Sequence, residues 1–253
     1  RDTAKERELI DKRKKEEGKS DSQNDKKHGF FASLFGKNKQ ENEKKKKQKP
    51  IIIWDKKEID YGSFHRVMDW SPDGRKLAYA KFHFGENQSL INDIKIYDIN
   101  NKKSVWLTES QRASHPAWSP DGRQIVFVAH KNSVANLYTM DADGSNKKQI
   151  THYTYDTQII DPHFSPDGKS IIFSMADRDA NLDLFILSVT TGDVQRITKD
   201  SAADYNPVWH PDGKYVSFTS HSGGTPNIHT VNINTGESKQ VSDVGDAVWA
   251  AQW

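Results

Sequence analysis

The stretch Trp118-Ser119-Pro120-Asp121-Gly122-Arg123 decides the fold of this chain, because close copies of it recur along the sequence. The copies lie at 70–74, 164–168 and 209–213, and the aromatic residue that opens each copy appears once more at Trp253. Successive aromatic residues are therefore 48, 46, 45 and 44 residues apart. A repeat period in the forties is typical of proteins built from repeated β-sheet units.

The residues of this motif are those of a tight β-turn. Proline presets φ at the second position of a type I turn, Ser and Asp side chains bond nearby backbone groups, and glycine accepts a positive φ. An apolar run follows each copy, as at 125–128, and such runs between turn residues predict buried strands. A second hairpin and a short closing strand complete each unit, which is the content of one propeller blade. We therefore predict an all-β chain with four antiparallel blades, at about 64–113, 114–160, 161–205 and 206–248.

The same residues resemble the TolB-like β-propeller repeats, whose signature is an aromatic residue followed by Ser-Pro-Asp-Gly. The resemblance covers about 64–253, and the fourth copy departs from it because His210 replaces the serine. It implies a ring of the six-bladed type, of which four repeats are present here. The family includes periplasmic TolB, which binds partner proteins, and the propeller domains that precede prolyl oligopeptidase-type hydrolases. The location that this resemblance implies is the periplasm or cell envelope.

The N-terminal part of the chain differs in charge from the rest. The first fifty residues contain 17 Lys and Arg against 10 Asp and Glu, so the remainder holds 20 basic and 25 acidic side chains. We interpret residues 1–49 as a charged arm, helical or largely disordered, and residues 50–253 as the propeller. Residues 50–54 predict a strand, which either closes the ring or belongs to an upstream blade into which the arm is inserted. The chain begins at Arg1 and stops at Trp253, the aromatic that would open a fifth copy, so we expect a piece of a longer protein.

Two features of the arm bear on its contacts. Phe30, Phe31, Leu34 and Phe35 form an apolar patch among lysines, and at helical spacing they share one side. Such a patch suits weak docking to a membrane surface or a partner groove, or it is a plain linker. We interpret the basic run at 44–49 as a solvated spacer and expect no nucleic-acid partner, because the attached acidic domain would repel polyanions.

The sequence offers little catalytic chemistry. It contains no cysteine, which excludes a thiol nucleophile and a thiolate metal site in this chain. No Gly-x-Ser-x-Gly, His-Glu-x-x-His or phosphate-binding glycine motif occurs, so we assign no catalytic residue, no cofactor and no metal site. His115, Asp161 and His163 come just before the repeated turns, where the inner strands of a propeller line its channel. If they converge they suit a divalent metal, and otherwise they form a polar lining filled by water.

The loops that join each outer strand to the next inner strand carry the residues that we expect to bind a partner. Binding residues concentrate in loops held by a rigid scaffold. Tyrosines supply contact area, and we expect Asp156, Asp200 and Asp204 to be exposed rim charges that steer a basic partner. With the adjoining inner-strand positions, the predicted partner-binding set is Arg112, His115, Tyr153, Tyr155, Asp156, Asp161, His163, Asp200, Asp204, Tyr205 and Asn206.

Three functions are open at this point. The resemblance and the loops favour a protein-binding propeller scaffold of the bacterial cell envelope. The second interpretation is the substrate-gating propeller of a prolyl oligopeptidase-like hydrolase whose catalytic domain lies outside this chain. The third is a metal-dependent propeller enzyme that uses the channel histidines.

Overall fold

The computed structural model describes residues 64–86, 88–176 and 181–245, which form four four-stranded sheets. The first sheet contains β1 (Phe64–Trp70), β2 (Lys76–Phe84), β3 (Leu90–Asp98) and β4 (Lys103–Trp106). The second contains β5 (Ala113–Trp118), β6 (Gln124–Lys131), β7 (Val134–Asp141) and β8 (Lys148–Gln149). The third contains β9 (Gln158–Phe164), β10 (Ser170–Ala176), β11 (Leu182–Ser188) and β12 (Val194–Arg196). The fourth contains β13 (Asp204–Trp209), β14 (Tyr215–Ser220), β15 (Asn227–Asn232) and β16 (Ser238–Gln240).

Each sheet is antiparallel, and its strands are neighbours in chain order. The first strands of consecutive sheets, β1, β5, β9 and β13, pack against one another and are the inner strands of the four blades. The prediction of an all-β fold with four antiparallel blades is confirmed. None of the described segments is a helix with the length and apolar character needed to cross a bilayer. The arm at 1–49, the strand predicted at 50–54 and the apolar patch of Phe30, Phe31, Leu34 and Phe35 lie outside the described residues.

The repeated turn is held by its own side chains. In the second blade, Ser119 Oγ donates to Asp121 Oδ1 at 2.6 Å, and Arg123 N–H donates to the same oxygen at 3.0 Å. Gly122 has a φ of 70°, a left-handed conformation that glycine adopts without steric cost. The bond from Ser119 is the main cause that holds the pKa of Asp121 below its ordinary value. In the fourth blade, His210 Nδ1 lies 2.8 Å from the Asp212 carboxylate, so the turn keeps its contact where serine is replaced.

In the second, third and fourth sheets, the aromatic residue that opens the turn packs against the preceding sheet. Trp118 is 6% exposed and belongs to a core that includes Ile94 of the first sheet and Phe127 of the second. Trp209 occupies the same place between the third and fourth sheets, while Phe164 is only partly buried between the second and third. The repeat therefore places one large aromatic residue at each of these contacts.

Candidate functional site

Two kinds of segment meet at the end of the sheets where the inner strands begin. They are the connecting loops between sheets, at 107–112, 150–157, 197–203 and 241–245, and the turns between second and third strands, such as 132–133 and 221–226. In the third blade, Asn181 Nδ2 donates to the backbone oxygens of Asp200 at 3.1 Å and of Ala202 at 2.8 Å. We call this surface the loop face.

A repeated hydrogen-bond pattern, the clasp, holds the connecting loops. In the second blade, Thr151 Oγ1 donates to Asn136 Oδ1 at 2.9 Å and accepts from Leu137 N–H at 2.8 Å. Asn136 Oδ1 also accepts from Tyr153 N–H at 2.8 Å, which fixes the start of the next loop. The corresponding pairs are Asp93 with Thr108, Asp183 with Thr198, and Asn227 with Ser242.

Sequence reasoning missed the clasp, although a signal was present. In every blade the hydroxyl residue follows the Asp or Asn by 15 positions. Where the clasp residue is a buried carboxylate, a cationic or ring nitrogen also contacts it, because an isolated buried charge is costly. His83 Nε2 lies 2.7 Å from Asp93 Oδ2, and Arg196 donates to Asp183.

Replacing Thr151 with valine is expected to lower the free energy of unfolding by about 1 to 3 kcal/mol. Valine keeps the shape of threonine but leaves the buried N–H of Leu137 without its acceptor. The loss is measured by urea unfolding. Thr154→Val is the matched control, because Thr154 is exposed in the same loop and its change is expected to stay within about 0.5 kcal/mol. Equal losses in the two variants would contradict the role of the clasp.

The pairing of the inner strand is irregular at a similar position in all four blades, and in three of them a residue with positive φ lies there. His115, Asp161 and Asn206 have φ values of 51°, 52° and 54°, and each directly precedes a proline. The strand pairing is irregular at these residues. Asn, Asp and His tolerate positive φ better than other residues with side chains, and a bulge redirects the side chain that it carries. The recurring His-Pro, Asp-Pro and Asn-Pro pairs were the sequence signal for this feature.

The bulges bring His115 and Asp161 together. His115 Nε2 lies 3.7 Å from Asp161 Oδ1, and both side chains are buried. His115 Nδ1 also forms a hydrogen bond of 2.9 Å with Ser114 Oγ. Burial raises the pKa of Asp161 to about 6, and a hydrogen bond from the backbone of Asn206 opposes this shift. Near neutral pH this pair therefore has a titratable carboxylate beside an imidazole.

His163, which sequence analysis grouped with these two residues, interacts with Asp69 instead. Burial lowers the pKa of His163, and the charge of Asp69 opposes that shift. Asp69 Oδ2 also accepts from Trp118 N–H at 2.7 Å, which ties the first inner strand to the second. Within the described residues, no group of three or more His, Asp or Glu side chains is arranged to hold a metal ion.

A pocket of about 560 Å³ opens on the loop face beside His115. Asn92 of the first sheet, His130 of the second and Asp156 of the following loop contribute to its lining. Asn92 Oδ1 is buried and has no hydrogen-bond partner among the described residues. The pocket thus combines hydrogen-bond acceptors with imidazole rings.

The predicted tyrosines are half-buried around this surface. Tyr153 and Tyr155 contact edge to face, with ring centroids 5.9 Å apart, and Tyr205 forms a hydrogen bond of 2.9 Å between its hydroxyl and His221 Nε2. Arg112 is exposed, and its backbone oxygen contacts His130. The rings are therefore held in place while part of each stays accessible.

The prediction that Asp204 is an exposed rim charge is wrong. Asp204 begins β13 opposite Ser220, and this register turns its side chain toward the third sheet, where its exposure is 0%. Burial raises its pKa to about 6. Asp156 and Asp200 are exposed as predicted. The exposed charges of the described connecting loops are carboxylates at Glu109, Asp156, Asp200 and Asp243, against cations at Arg112 and Lys199.

Comparison with known proteins identifies the family. The family model for the TolB beta propeller domain matches residues 64–174 and 154–253. This chain belongs to the TolB beta propeller domain family. The resemblance found in the repeated turns is therefore confirmed.

The alignments with individual relatives cover only part of the length of each relative. The Tol-Pal system protein TolB of Francisella tularensis subsp. mediasiatica is 31% identical over 166 residues, which are 63% of this chain and 37% of that protein. The uncharacterized peptidase YuxL of Bacillus subtilis is 27% identical over 190 residues, which are 60% of this chain and 29% of that protein. The crystal structure of TolB from Acinetobacter baumannii is similar with a TM-score of 0.57 and 26% identity, over 69% of this chain and 42% of that one. The chain thus spans roughly a third of these curated relatives.

Proposed function

We propose that this chain is a protein-binding propeller scaffold of the bacterial cell envelope, and that the loop face holds its partner. The observation that carries the proposal is the set of clasped loops that present half-buried tyrosines and exposed carboxylates on the loop face, where the 560 Å³ pocket also opens. Loops that are fixed before binding lose little entropy when a partner docks. Similarity to a Tol-Pal system protein supports both the binding role and the envelope location.

The chemistry of the loop face fits a partner with a basic surface. The half-buried rings of Tyr153, Tyr155 and Tyr205 supply contact area with few torsions to order. Asp156 and Asp200 are exposed and contribute a negative field that steers basic partners and raises the association rate. His115 lines the pocket, and the buried carboxylate of Asp161 lies 3.7 Å from its ring.

Asp156→Lys combined with Asp200→Asn is expected to slow association about tenfold at low salt and to weaken its salt dependence. Asparagine at 200 keeps an acceptor for the Ala202 N–H, so the loop retains its bond. Surface plasmon resonance measures the rates against a partner purified from an envelope extract with the unmodified chain. The matched control is Asp193→Lys with Glu237→Gln, an equal charge change at exposed turns on the opposite end of the sheets. Equal slowing in both variants would show that net charge acts without a defined loop face.

A second function has specific support. The similarity to the peptidase YuxL fits the propeller domain of a hydrolase whose catalytic domain lies outside this chain. Reading the gene beyond Trp253 and assaying the full-length product on chromogenic peptides distinguishes the two functions. A Gly-x-Ser-x-Gly domain and peptide hydrolysis that is lost on Ser→Ala substitution in that motif would replace the scaffold proposal.

A further inference from the structure

The contact between the third and fourth sheets is polar near the loop face, whereas the two preceding contacts between sheets have aliphatic or aromatic side chains at the same repeat positions. In the fourth sheet, strand pairing places Asp204 opposite Ser220, and His229 opposite Phe218, on the side that faces the third sheet. Ser174 of the third sheet faces the fourth sheet. The polar residues of this contact are Ser174, Asp204, Ser220 and His229. The equivalent residues between the first and second sheets are Ala80, Ala113, Ala129 and Tyr138, and those between the second and third sheets are Val128, Ile159, Met175 and Phe185.

These four side chains are buried, and three of them lack partners. Ser174 and Asp204 are 0% exposed, Ser220 is 1% exposed and His229 is 9% exposed. Ser174 Oγ, both carboxylate oxygens of Asp204 and His229 Nε2 have no hydrogen-bond partner among the described residues. Buried polar atoms without partners are rare in native proteins because each loses its hydration without compensation.

Two hydroxyl groups lie beside the Asp204 carboxylate. The hydroxyls of Ser220 and Thr198 lie close enough to this carboxylate to lower its pKa, although neither has the geometry of a hydrogen bond to it. Thr198 Oγ1 also accepts from Leu184 N–H at 3.0 Å, and Leu184 is the strand partner of Ser174. One carboxylate and two hydroxyl groups therefore lie together between the sheets, and the buried hydroxyl of Ser174 belongs to the same contact.

The charge at this spot is negative. Asp183 is paired with Arg196, but Asp204 and Asp200 have no ion pair with a described residue. The charge of Asp200, in the exposed loop above, acts on both Asp204 and His229. Burial lowers the pKa of His229, so its ring stays neutral and brings no positive charge.

We propose that this spot is a cation site of the oxygen-ligand type, suited to Ca²⁺, between the third and fourth blades. Asp204 supplies the buried carboxylate, the hydroxyls of Ser174, Thr198 and Ser220 supply neutral oxygens, and Asp200 supplies the second charge at the solvent side. Ca²⁺ accepts irregular sets of oxygen ligands and completes them with water, whereas Mg²⁺ demands near-ideal octahedral geometry. The site shares Asp200 with the loop face described above, but it does not require the partner proposed there.

The test uses the full chain, stripped of metal with a chelator and titrated with CaCl₂ by calorimetry. One Ca²⁺ per chain and a rise in Tm are expected, with a weaker response to MgCl₂. Asp204→Ala with Ser220→Ala copies the alanine pair of the first contact, so it is expected to fold and to bind Ca²⁺ at least about tenfold more weakly. Asp156→Ala, which removes an exposed carboxylate of another loop, is expected to leave the affinity unchanged.

Absence of heat and of a Tm shift at millimolar Ca²⁺ would overturn the proposal. Unchanged affinity in the double alanine variant would also overturn it, because the ion would then bind elsewhere.

Discussion

Replacing Trp118 with alanine is expected to lower the free energy of unfolding by about 3 to 5 kcal/mol, the cost of removing a large aromatic side chain from a core. Trp118 is 6% exposed and packs against residues of both the first and second sheets, so its loss opens a cavity between two blades. Urea unfolding followed by circular dichroism at a strand wavelength measures the change.

Trp70 provides the matched control from the same motif. It opens the first copy of the turn but is 50% exposed, so Trp70→Ala removes the same atoms from a site that is half in solvent. We expect a loss of about 1 to 2 kcal/mol, since only the buried part of the ring contributes. A loss below about 1 kcal/mol for Trp118→Ala would mean that the contact between blades does not depend on this aromatic residue.

Asp204→Asn is expected to stabilise the protein at pH 7 by about 2 to 3 kcal/mol in buffer free of divalent cations. The carboxyl group has a pKa of about 6 in the folded protein, against about 3.9 in an unfolded chain. Between these values the folded state binds the proton more tightly, so the free energy of unfolding falls as the pH rises from about 4 to about 6 and stays low above that. Asparagine cannot ionise, so the variant escapes this loss.

The pH dependence distinguishes this explanation from a simple gain in packing. The variant and the original protein are expected to be equally stable near pH 4 and to diverge through the window up to pH 6. Asp161, whose pKa is also about 6, contributes a similar slope in both proteins, so the variant retains part of the dependence. Asp156→Asn changes an exposed carboxylate and is expected to leave the dependence of the free energy of unfolding on pH unchanged. A gain that is the same at pH 4 and pH 7 would contradict ionisation of Asp204 as its cause.

Much of the candidate site could be predicted from the sequence repeat, but the exposure of one residue was predicted wrongly. Aligning the copies on their aromatic residue places Asp204 with Ala113 and Ile159, both buried, and that alignment already argued against an exposed rim charge. The clasp was equally readable from its constant separation of 15 residues. Both were missed because loop residues were judged by their polarity and not by their position in the repeat.

Turns and strands followed from the amino-acid sequence alone because their causes are local. The bonds of the Ser-Pro-Asp-Gly turn join residues within five positions of each other, and alternation along a strand needs no distant partner. The meeting of His115 with Asp161, and of Asp69 with His163, depends instead on bulges and on the packing of inner strands from different blades. Those contacts also determine which carboxylates are buried away from water. This desolvation raises the pKa of Asp161 and Asp204. Only the assembled sheets determine these contacts and pKa values, because the residues that bury each carboxylate lie dozens of positions away in the sequence.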